Sequence, residues 1–209
     1  MVYYVKEIFL TIQGEGINCG RVAVFCRFSG CNLWSGREID RPTAACKFCD
    51  TDFVGLDGDR GGRYLAEELA NTMACLWPQE TTRPLAVMTG GEPLLQLDSE
   101  LIHALHARGF EIAVETNGTI PIPGGVDWVC VSPKSATMLS VVSGDELKIV
   151  YPQKNLPPEA LENMEFNHKI LQPMDGPERE KNLKAAIAYC LAHPRWRLSL
   201  QTHKIIGIR

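Results

Sequence analysis

Three cysteines in one short segment have the residue type and spacing of a metal site. Cys31, Cys46 and Cys49 are arranged as C-x14-C-x2-C. The C-x2-C pair can place two thiolates on one metal centre, and the intervening loop can bring the third alongside. A structural zinc site usually has four protein ligands, and most [4Fe–4S] clusters have four cysteines. Three cysteines would leave one iron of such a cluster open to a small molecule.

Zinc is the alternative metal for the same segment, because C-x2-C pairs are common in zinc sites. Cys26 or His203 would then supply the fourth ligand, and the chain would be a non-catalytic interaction module. The cysteine spacing alone leaves both metals open. The remaining cysteines are expected to be small buried hydrophobic side chains. They are Cys19, Cys26, Cys75, Cys130 and Cys190.

The composition favours a small-molecule partner. The 209 residues carry a net charge of −4, and Lys and Arg are scattered. Neutralising phosphates needs a basic surface, which argues against nucleic acid. No run approaches the roughly 20 apolar residues of a membrane helix, and no signal peptide is recognised. We therefore expect a cytoplasmic protein with no membrane partner. One domain should span residues 1–209, with 32–45 as an insertion in the cysteine loop.

Short β-rich runs and helical patterns must position the cysteine segment. Several of the runs are almost continuously apolar, which is typical of strands buried on both faces of a parallel sheet. The predicted strands are 22–28, 85–88, 111–115, 127–131, 146–150, 169–172 and 197–201. The predicted helices are 64–76, 98–108 and 177–192. Asp98 can cap the second helix, and Gly109 follows it as a stop signal.

Alternating strands and helices predict an α/β fold with right-handed crossovers. A complete eight-fold barrel usually takes about 250 residues, and only three crossover helices are predicted here. We therefore expect an incomplete, partly open parallel (β/α) barrel. The chemistry of such folds lies at the carboxyl ends of the strands, where the cysteine segment and the later polar clusters fall.

A Gly-Gly-Glu-Pro sequence ends the second of these parallel strands, in the segment Met88-Thr89-Gly90-Gly91-Glu92-Pro93. Two glycines allow a ligand to approach the backbone closely. This strand end, downstream of a three-cysteine loop, resembles the radical S-adenosylmethionine (SAM) superfamily. The usual superfamily spacing is C-x3-C-x2-C. The longer spacing here is similar to that of the 7-carboxy-7-deazaguanine synthases, which make the deazapurine core of queuosine.

The resemblance to this family extends over most of the chain. The matching segments are 8–16, 24–33, 49–51, 115–118, 131–134, 171–175 and 201–204. The first of them resembles the family's N-terminal substrate loop. The resemblance implies that Cys31, Cys46 and Cys49 ligate a [4Fe–4S] cluster and that Thr51 ligates Mg²⁺.

The resemblance also assigns binding residues, and it implies no catalytic side chain beyond the cluster and SAM. The implied SAM-binding residues are Phe48, Cys49, Asp50, Gly91, Ser132, Pro133, Lys134, Gln172, Pro173, Met174 and Asp175. The implied substrate-binding residues are Ile12, Gln13, Gly14, Glu15, Arg27, Thr89, Asn117 and His203.

Several of these residues have a structural alternative. Arg27 lies in an otherwise apolar strand, where an unpaired cation is costly; its partner is either the substrate carboxylate or a protein carboxylate. Thr51 could cap a loop. Gln13 and Glu15 could belong to a hairpin turn, and His203 to the core. Lys134 and Asn117 could be solvated strand-end residues, and Met73 and Met88 are expected in the core.

The implied reaction converts 6-carboxy-5,6,7,8-tetrahydropterin into 7-carboxy-7-deazaguanine with loss of ammonia. SAM is regenerated in this family, and a one-electron reductant such as flavodoxin and a homodimer are also implied. A second hypothesis is an activase that installs a glycyl radical on a protein partner. Activases have a similar cysteine loop and Gly-Gly-Glu-Pro strand end, but the Gln13 loop, Arg27 and Thr51 would have no evident role in one.

Overall fold

The computed structural model describes residues 1–78, 82–134 and 139–209. Within these residues the strands are β1 (Tyr3–Ile12), β2 (Val22–Phe28), β3 (Gly62–Tyr64), β4 (Leu85–Gly90), β5 (Glu111–Thr116), β6 (Trp128–Val131), β7 (Ser143–Tyr151), β8 (Glu165–Pro173) and β9 (Trp196–Leu198). The helices are α1 (Ala66–Ala74), α2 (Ser99–His106), α3 (Arg179–Ala192) and α4 (Thr202–Ile206).

The strands form one mostly parallel sheet in the order β3-β1-β2-β4-β5-β6-β7-β8-β9. The pairs β2/β4, β4/β5, β6/β7, β7/β8 and β8/β9 are parallel, and β1/β3 is antiparallel. The α/β class predicted from the sequence is therefore confirmed. Among the described residues, no helix is both long and apolar enough to cross a bilayer.

The chain divides into two compact units. The first comprises Met1–Thr11, Val22–Thr116 and Ile120–Val129, and the second comprises Ile12–Arg21, Asn117–Thr119 and Cys130–Arg209.

The core of the first unit lies on both faces of β4. Leu85, Ala86, Val87 and Met88 are at most 1% exposed, because the strand has a parallel neighbour on each side and apolar layers above and below. One layer contains the apolar sides of α1 and α2. The continuous apolar run that predicted this strand reflects burial on both faces.

The ends of α2 follow the predicted signals. The Asp98 carboxylate accepts the backbone N–H of Leu101 at 3.0 Å and the Tyr3 hydroxyl at 2.6 Å, so it caps the helix and ties it to β1. Gly109 has a φ of +79°, a conformation that glycine adopts without steric cost. At α1 the Glu68 carboxylate accepts the N–H of Leu65 at 2.9 Å.

The second unit is built on the long β7/β8 ladder. The apolar residues Leu147, Ile149 and Leu171 are fully buried, and α3 packs against β8 and β9. Two charged residues of β7, Glu146 and Lys148, are each only 3% exposed. Buried charges need partners, and both partners lie in the loop after β1. Glu146 accepts the N–H of Ile17 at 3.1 Å, and Lys148 pairs with Glu15.

Several predicted boundaries were wrong, for identifiable reasons. Residues 3–12, partly assigned to a loop, form β1; its pattern is obscured because Lys6 is buried and paired with Asp52 and Asp57, at 2.9 and 2.7 Å. The first helix begins at Ala66 because Tyr64 pairs with Tyr3 in the β1/β3 ladder.

Near the chain end, the predicted strand 197–201 is shorter and shifted. It forms β9 at Trp196–Leu198, and the residues from Thr202 form α4. The predicted helix 177–192 begins at Arg179.

The outcome for the remaining cysteines was mixed. Cys26 and Cys130 are buried as expected, Cys190 is half-buried, and Cys19 and Cys75 are exposed. Met73 and Met88 are fully buried, which confirms their place in the core.

Candidate functional site

The first cysteine of the motif lies just beyond the carboxyl end of β2. The backbone N–H of Leu33 points at the Cys31 sulfur, with an N–Sγ distance of 3.4 Å. Burial raises the pKa of the Cys31 thiol, amides of Leu33 and Trp34 lower it, and the nearby Glu92 and Cys49 raise it further. Cys31 therefore lies within electrostatic range of Cys49. Its sulfur also has backbone donors that stabilise a thiolate.

The other two cysteines lie in a turn held by Arg41. Cys46 is 4% exposed and Cys49 is half-buried. The Arg41 guanidinium donates from Nη1 to the carbonyl oxygens of Lys47 and Cys49, both at 3.1 Å. Across residues 1–78, 82–134 and 139–209, no group of three His, Cys, Asp or Glu side chains is close enough to hold a metal ion. The three sulfurs thus share one loop without forming a closed metal site.

The Gly-Gly-Glu-Pro strand end lies directly against the first cysteine. The N–H of Glu92 donates to the Gly30 carbonyl at 3.0 Å. A Cβ added at Gly91 would lie 2.2 Å from the Gly30 oxygen and 2.7 Å from Cys31 Cβ. No larger residue fits this contact without moving the backbone. The glycine therefore brings the strand end next to Cys31, as expected for a ligand bound at both.

Glu92 is a fully buried carboxylate beside this contact. Its Oε1 accepts the N–H of Leu94 at 3.0 Å and the Thr116 hydroxyl at 2.7 Å. These bonds connect the end of β4 with the end of β5. Glu92 therefore fixes the strand end that carries Gly91, because a buried charge is tolerated only when it is hydrogen-bonded.

Two of the predicted substrate residues share one position in the parallel ladder. Arg27 of β2 is paired in register with Thr89 of β4, so both side chains point to the same face. Arg27 Nε donates to Glu7 Oε1 at 2.8 Å, and the two side chains are 19% and 16% exposed. The protein salt bridge considered as the alternative for Arg27 is therefore present. Thr89 is largely buried.

Phe48 lies within the cysteine turn, and Asp50 and Thr51 follow it on the way to β3. Phe48 and Thr51 are half-buried and Asp50 is exposed. The following segment is fastened to β1 by Lys6, whose Nζ donates to Val54 O at 2.9 Å and to Asp57 at 2.7 Å. The buried ammonium therefore holds in place the segment that follows Thr51.

In the second unit, the structure brings the residues around Gln13 and His203 together. The Gln13 backbone pairs with Arg21 and Gly20 at 2.8 Å, and its side-chain oxygen accepts the N–H of Glu15 at 3.1 Å. A hairpin-like turn, the alternative considered for Gln13, is therefore present. A Cβ at Gly14 would lie 2.4 Å from His203 Nδ1, so this contact also requires glycine.

The Gly14 carbonyl holds the loop against the residues before His203. It accepts both the N–H and the hydroxyl of Thr202, at 2.9 and 2.8 Å. The loop and the amino end of α4 are thereby joined, which places His203 against the loop.

Glu15 forms a buried ion pair with Lys148 of β7. The Lys148 Nζ to Glu15 Oε2 distance is 2.7 Å, and the side chains are 4% and 16% exposed. Gln201 Nε2 donates to the other carboxylate oxygen at 3.0 Å. Burial alone would raise the pKa of Glu15. The Lys148 ammonium, helped by hydrogen bonds from Lys148, Gln201 and Gln172, holds this pKa well below its usual range.

Gln172 is the last residue of this network, and one of its side-chain atoms is unsatisfied. The side chain is 5% exposed and donates to Glu15. Its Oε1 is buried and has no hydrogen-bond partner within residues 1–78, 82–134 and 139–209. An unsatisfied buried carbonyl oxygen costs roughly 1–3 kcal/mol, so this oxygen fits a site in which a bound molecule donates an N–H or O–H.

The other predicted residues of the second unit are anchored locally. Lys134 Nζ donates to Ser132 Oγ at 2.7 Å. The side-chain oxygen of Asn117 accepts the N–H and hydroxyl of Thr119 at 3.0 and 2.7 Å, so it shapes the turn after β5.

Pro173 and Asp175 line a cleft. The other lining residues include Arg179, Gln201 and Lys204. Lys204 donates to Asp175 at 2.7 Å. Met174 is half-buried beside them, and Ile12 is exposed at the end of β1.

The residues of the cysteine loop fit the iron–sulfur cluster and the Mg²⁺ ion that the family resemblance implies. Three thiols in one loop, with backbone donors to the Cys31 sulfur, suit an iron–sulfur cluster. A strand end that only glycine permits against Cys31 suits a bound amino acid beside it. Thr51 offers one hard oxygen. One such ligand is compatible with Mg²⁺, which keeps several waters and usually takes few protein ligands.

Comparison with known proteins identifies the family. The chain is 63% identical over 210 residues to the 7-carboxy-7-deazaguanine synthase of Bradyrhizobium diazoefficiens and 58% identical over 209 residues to that of Bordetella pertussis. Both alignments cover 100% of each chain. The chain belongs to the 7-carboxy-7-deazaguanine synthase family. Its fold is similar to the crystal structure of QueE from Escherichia coli, with a TM-score of 0.71 and 27% identity over 96% of this chain and 94% of that one. No protein-family model matches.

Membership of the 7-carboxy-7-deazaguanine synthase family confirms the resemblance drawn from the motifs. Sequence reasoning nevertheless missed Lys148, Glu92 and Arg41. Lys148 had the clearest signal, because a single cation within the apolar run of β7 needs a partner by the same argument that was applied to Arg27. Glu92 was seen only as part of its motif. Arg41 lies in an insertion with no regular pattern.

Proposed function

We propose that this member of the 7-carboxy-7-deazaguanine synthase family is a radical SAM lyase that converts 6-carboxy-5,6,7,8-tetrahydropterin into 7-carboxy-7-deazaguanine for queuosine biosynthesis. Full-length identity of 63% to a synthase of that name is the observation that carries the proposal. The contact between Gly91 and the Cys31 segment supports it, because only glycine lets the strand end lie directly against Gly30 and Cys31.

Within this proposal, Cys31, Cys46 and Cys49 ligate a [4Fe–4S] cluster. When bound, the cluster and SAM would supply the radical chemistry that starts the reaction. The chain's own residues supply position and exclude water. Glu92 contributes indirectly, since it fixes the strand end that presents the backbone at Gly91.

Two groups of residues are assigned to SAM. Phe48, Cys49, Asp50 and Gly91 come from the cysteine loop and the Gly-Gly-Glu-Pro strand end. The other assigned residues are Ser132, Pro133, Lys134, Gln172, Pro173, Met174 and Asp175. The unpartnered oxygen of Gln172 supports this part of the proposal, because it is an acceptor that the fold leaves unsatisfied.

The pterin is assigned to Ile12, Gln13, Gly14, Glu15, Arg27, Thr89, Asn117 and His203. The ion pair with Lys148 keeps Glu15 ionised and therefore able to accept hydrogen bonds from the pterin ring. Mg²⁺ is assigned to Thr51, where it would neutralise the substrate carboxylate and fix its orientation. Arg27 keeps a role toward the same carboxylate, because a guanidinium has donors in addition to the Nε that contacts Glu7.

The proposal also includes a cytoplasmic location, a homodimer and a one-electron reductant such as flavodoxin. None of the eight cysteines, which all lie in the described ranges, forms a disulfide, and this suits a reducing compartment. A single domain with the fold of a partly open (β/α) barrel and an insertion at 32–45 is part of the same family resemblance.

One anaerobic assay tests the proposal. The protein is reconstituted with iron and sulfide and then given reductant, SAM, Mg²⁺ and 6-carboxytetrahydropterin, and the products are followed by mass spectrometry. We expect 7-carboxy-7-deazaguanine. Cleavage of SAM without this product would refute the substrate and favour an activase. A colourless protein that retains zinc would refute the radical SAM assignment itself.

A further inference from the structure

The insertion at 32–45 places a cation against the cysteine turn. The Arg41 guanidinium lies 4.0 Å from the centroid of the Trp34 ring, and Trp34 is 8% exposed. Its Nη1 donates to the carbonyl oxygens of Lys47 and Cys49 at 3.1 Å each. The ring and the two carbonyls hold the guanidinium in a fixed position beside the C-x2-C pair.

The opposite side of this guanidinium faces an exposed carboxylate. Arg41 Nε and Nη2 donate to the two oxygens of Glu38, both at 2.7 Å. The Glu38 side chain is 75% exposed and that of Arg41 is 25% exposed. The positive charge therefore lies on the cysteine side of the pair, and the negative charge lies on the solvent side, where it is screened more strongly.

We propose that Arg41 is a positioning residue that tunes the iron–sulfur cluster: it holds the Cys46–Cys49 turn through two carbonyls, and its positive charge stabilises the reduced form. This inference rests on the proposed function. In the step concerned, a one-electron donor loses one electron and the oxidised [4Fe–4S]²⁺ core gains it. No bond breaks and no proton moves, so the cluster becomes more negative by one charge.

The physical basis is the charge balance around the cluster. Reduction potentials of iron–sulfur clusters depend on net charge, on hydrogen bonds and on solvent exposure. A guanidinium stays protonated at any working pH, so its effect on the added electron does not titrate. Removing the cation should make reduction harder, and removing the outer Glu38 charge should make it easier.

The test is a redox titration of the reconstituted, SAM-free protein with dithionite and mediators, followed by electron paramagnetic resonance. At a fixed poise, Arg41→Gln should lower the ratio of reduced to oxidised cluster about tenfold, which is about 59 mV for a one-electron couple. Glu38→Gln should raise the ratio. Arg41→Lys, which keeps the charge, should remain close to wild type.

Arg37→Gln is the matched control. Arg37 lies in the same insertion and its side chain is 71% exposed and paired with Asp40, so its removal should leave the titration unchanged. Iron and sulfide content is measured for every variant before titration. If Arg41→Gln loses the cluster, the Glu38→Gln titration decides the electrostatic question.

The possible failures are distinguishable. A wild-type protein that holds no cluster would refute the proposed function and this inference together. Wild-type titration curves in both Arg41→Gln and Glu38→Gln would overturn only the inference. An equal fall in Arg41→Gln and Arg41→Lys would also overturn it, because the charge would then have no part in the effect.

Discussion

Replacing Lys148 with Met tests how strongly the buried ion pair stabilises the fold. The Lys148 side chain is 4% exposed, and its Nζ lies 2.7 Å from Glu15 Oε2. Methionine fills a similar volume but leaves the Glu15 carboxylate buried without its cation. The substitution therefore measures how much free energy of unfolding is lost when this one buried charge has no partner.

The expected cost follows from the remaining contacts. Removing one partner of a buried ion pair typically destabilises a protein by about 3–5 kcal/mol. In Lys148→Met, the Gln201 amide still donates to Glu15 at 3.0 Å and the Gln172 amide also donates. Two neutral donors remain, so we expect the lower end of that range, about 3 kcal/mol at pH 7.

The loss should depend on pH in a defined direction. In the wild type the pKa of Glu15 is lowered, with Lys148 the main cause that opposes burial. The ion pair therefore stabilises the fold above the ordinary Glu range and loses that effect as the pH falls toward the lowered pKa. In Lys148→Met, burial without the cation raises the pKa of Glu15. The carboxyl then takes up a proton in mild acid, so the difference from wild type should shrink between pH 7 and pH 5.

Urea unfolding of the apoprotein under reducing, anaerobic conditions measures this difference. The control is Lys204→Met, which removes an equally short ion pair to Asp175 whose side chains are 32% and 33% exposed; its cost should stay below about 1 kcal/mol. The double variant Glu15→Gln/Lys148→Met should recover about 2 kcal/mol of the loss, because no unpaired charge remains. Equal losses in Lys148→Met and Lys204→Met, or a loss that does not change with pH, would refute the reasoning.

Three further predictions concern the proposed chemistry. Cys46→Ala should lose its iron and its activity, whereas Cys75→Ala, at an exposed thiol, should keep both. Iron and sulfide analysis and a product assay measure the difference. Normal turnover by Cys46→Ala would contradict the ligand assignment. Gly91→Ala puts a Cβ 2.2 Å from the Gly30 oxygen, so the strand end must shift and SAM cleavage should fall by about 100-fold. Gly124→Ala, whose Cβ meets no atom within 4 Å, is its control, and unchanged cleavage in Gly91→Ala would show that the contact is unimportant. Thr51→Ala should abolish Mg²⁺ stimulation of product formation while Thr51→Ser retains it; equal stimulation in Thr51→Ala would remove Thr51 from the metal site.

Local sequence patterns predicted the central part of the fold well. The continuous apolar runs of β4 and β5 and the capping signals of α2 depend on neighbouring residues, and the structure confirms them. The cysteine and Gly-Gly-Glu-Pro motifs indicated the superfamily. The long cysteine spacing and the further matching segments indicated the family, because several short motifs in one order rarely coincide by chance. The strand β1 was missed because Lys6, a charged residue, is buried within it.

The sequence by itself therefore determined the α/β class, the cysteine loop with its glycine strand end, and the family. Only the tertiary structure decided which charges neutralise one another. Glu15 and Lys148 are 133 positions apart, Lys6 is paired with Asp52 and Asp57, and Arg27 is paired with Glu7. The physical reason is that hydrophobic periodicity and capping act between near neighbours in the chain. A buried charge, by contrast, requires a partner without specifying where in the sequence that partner lies.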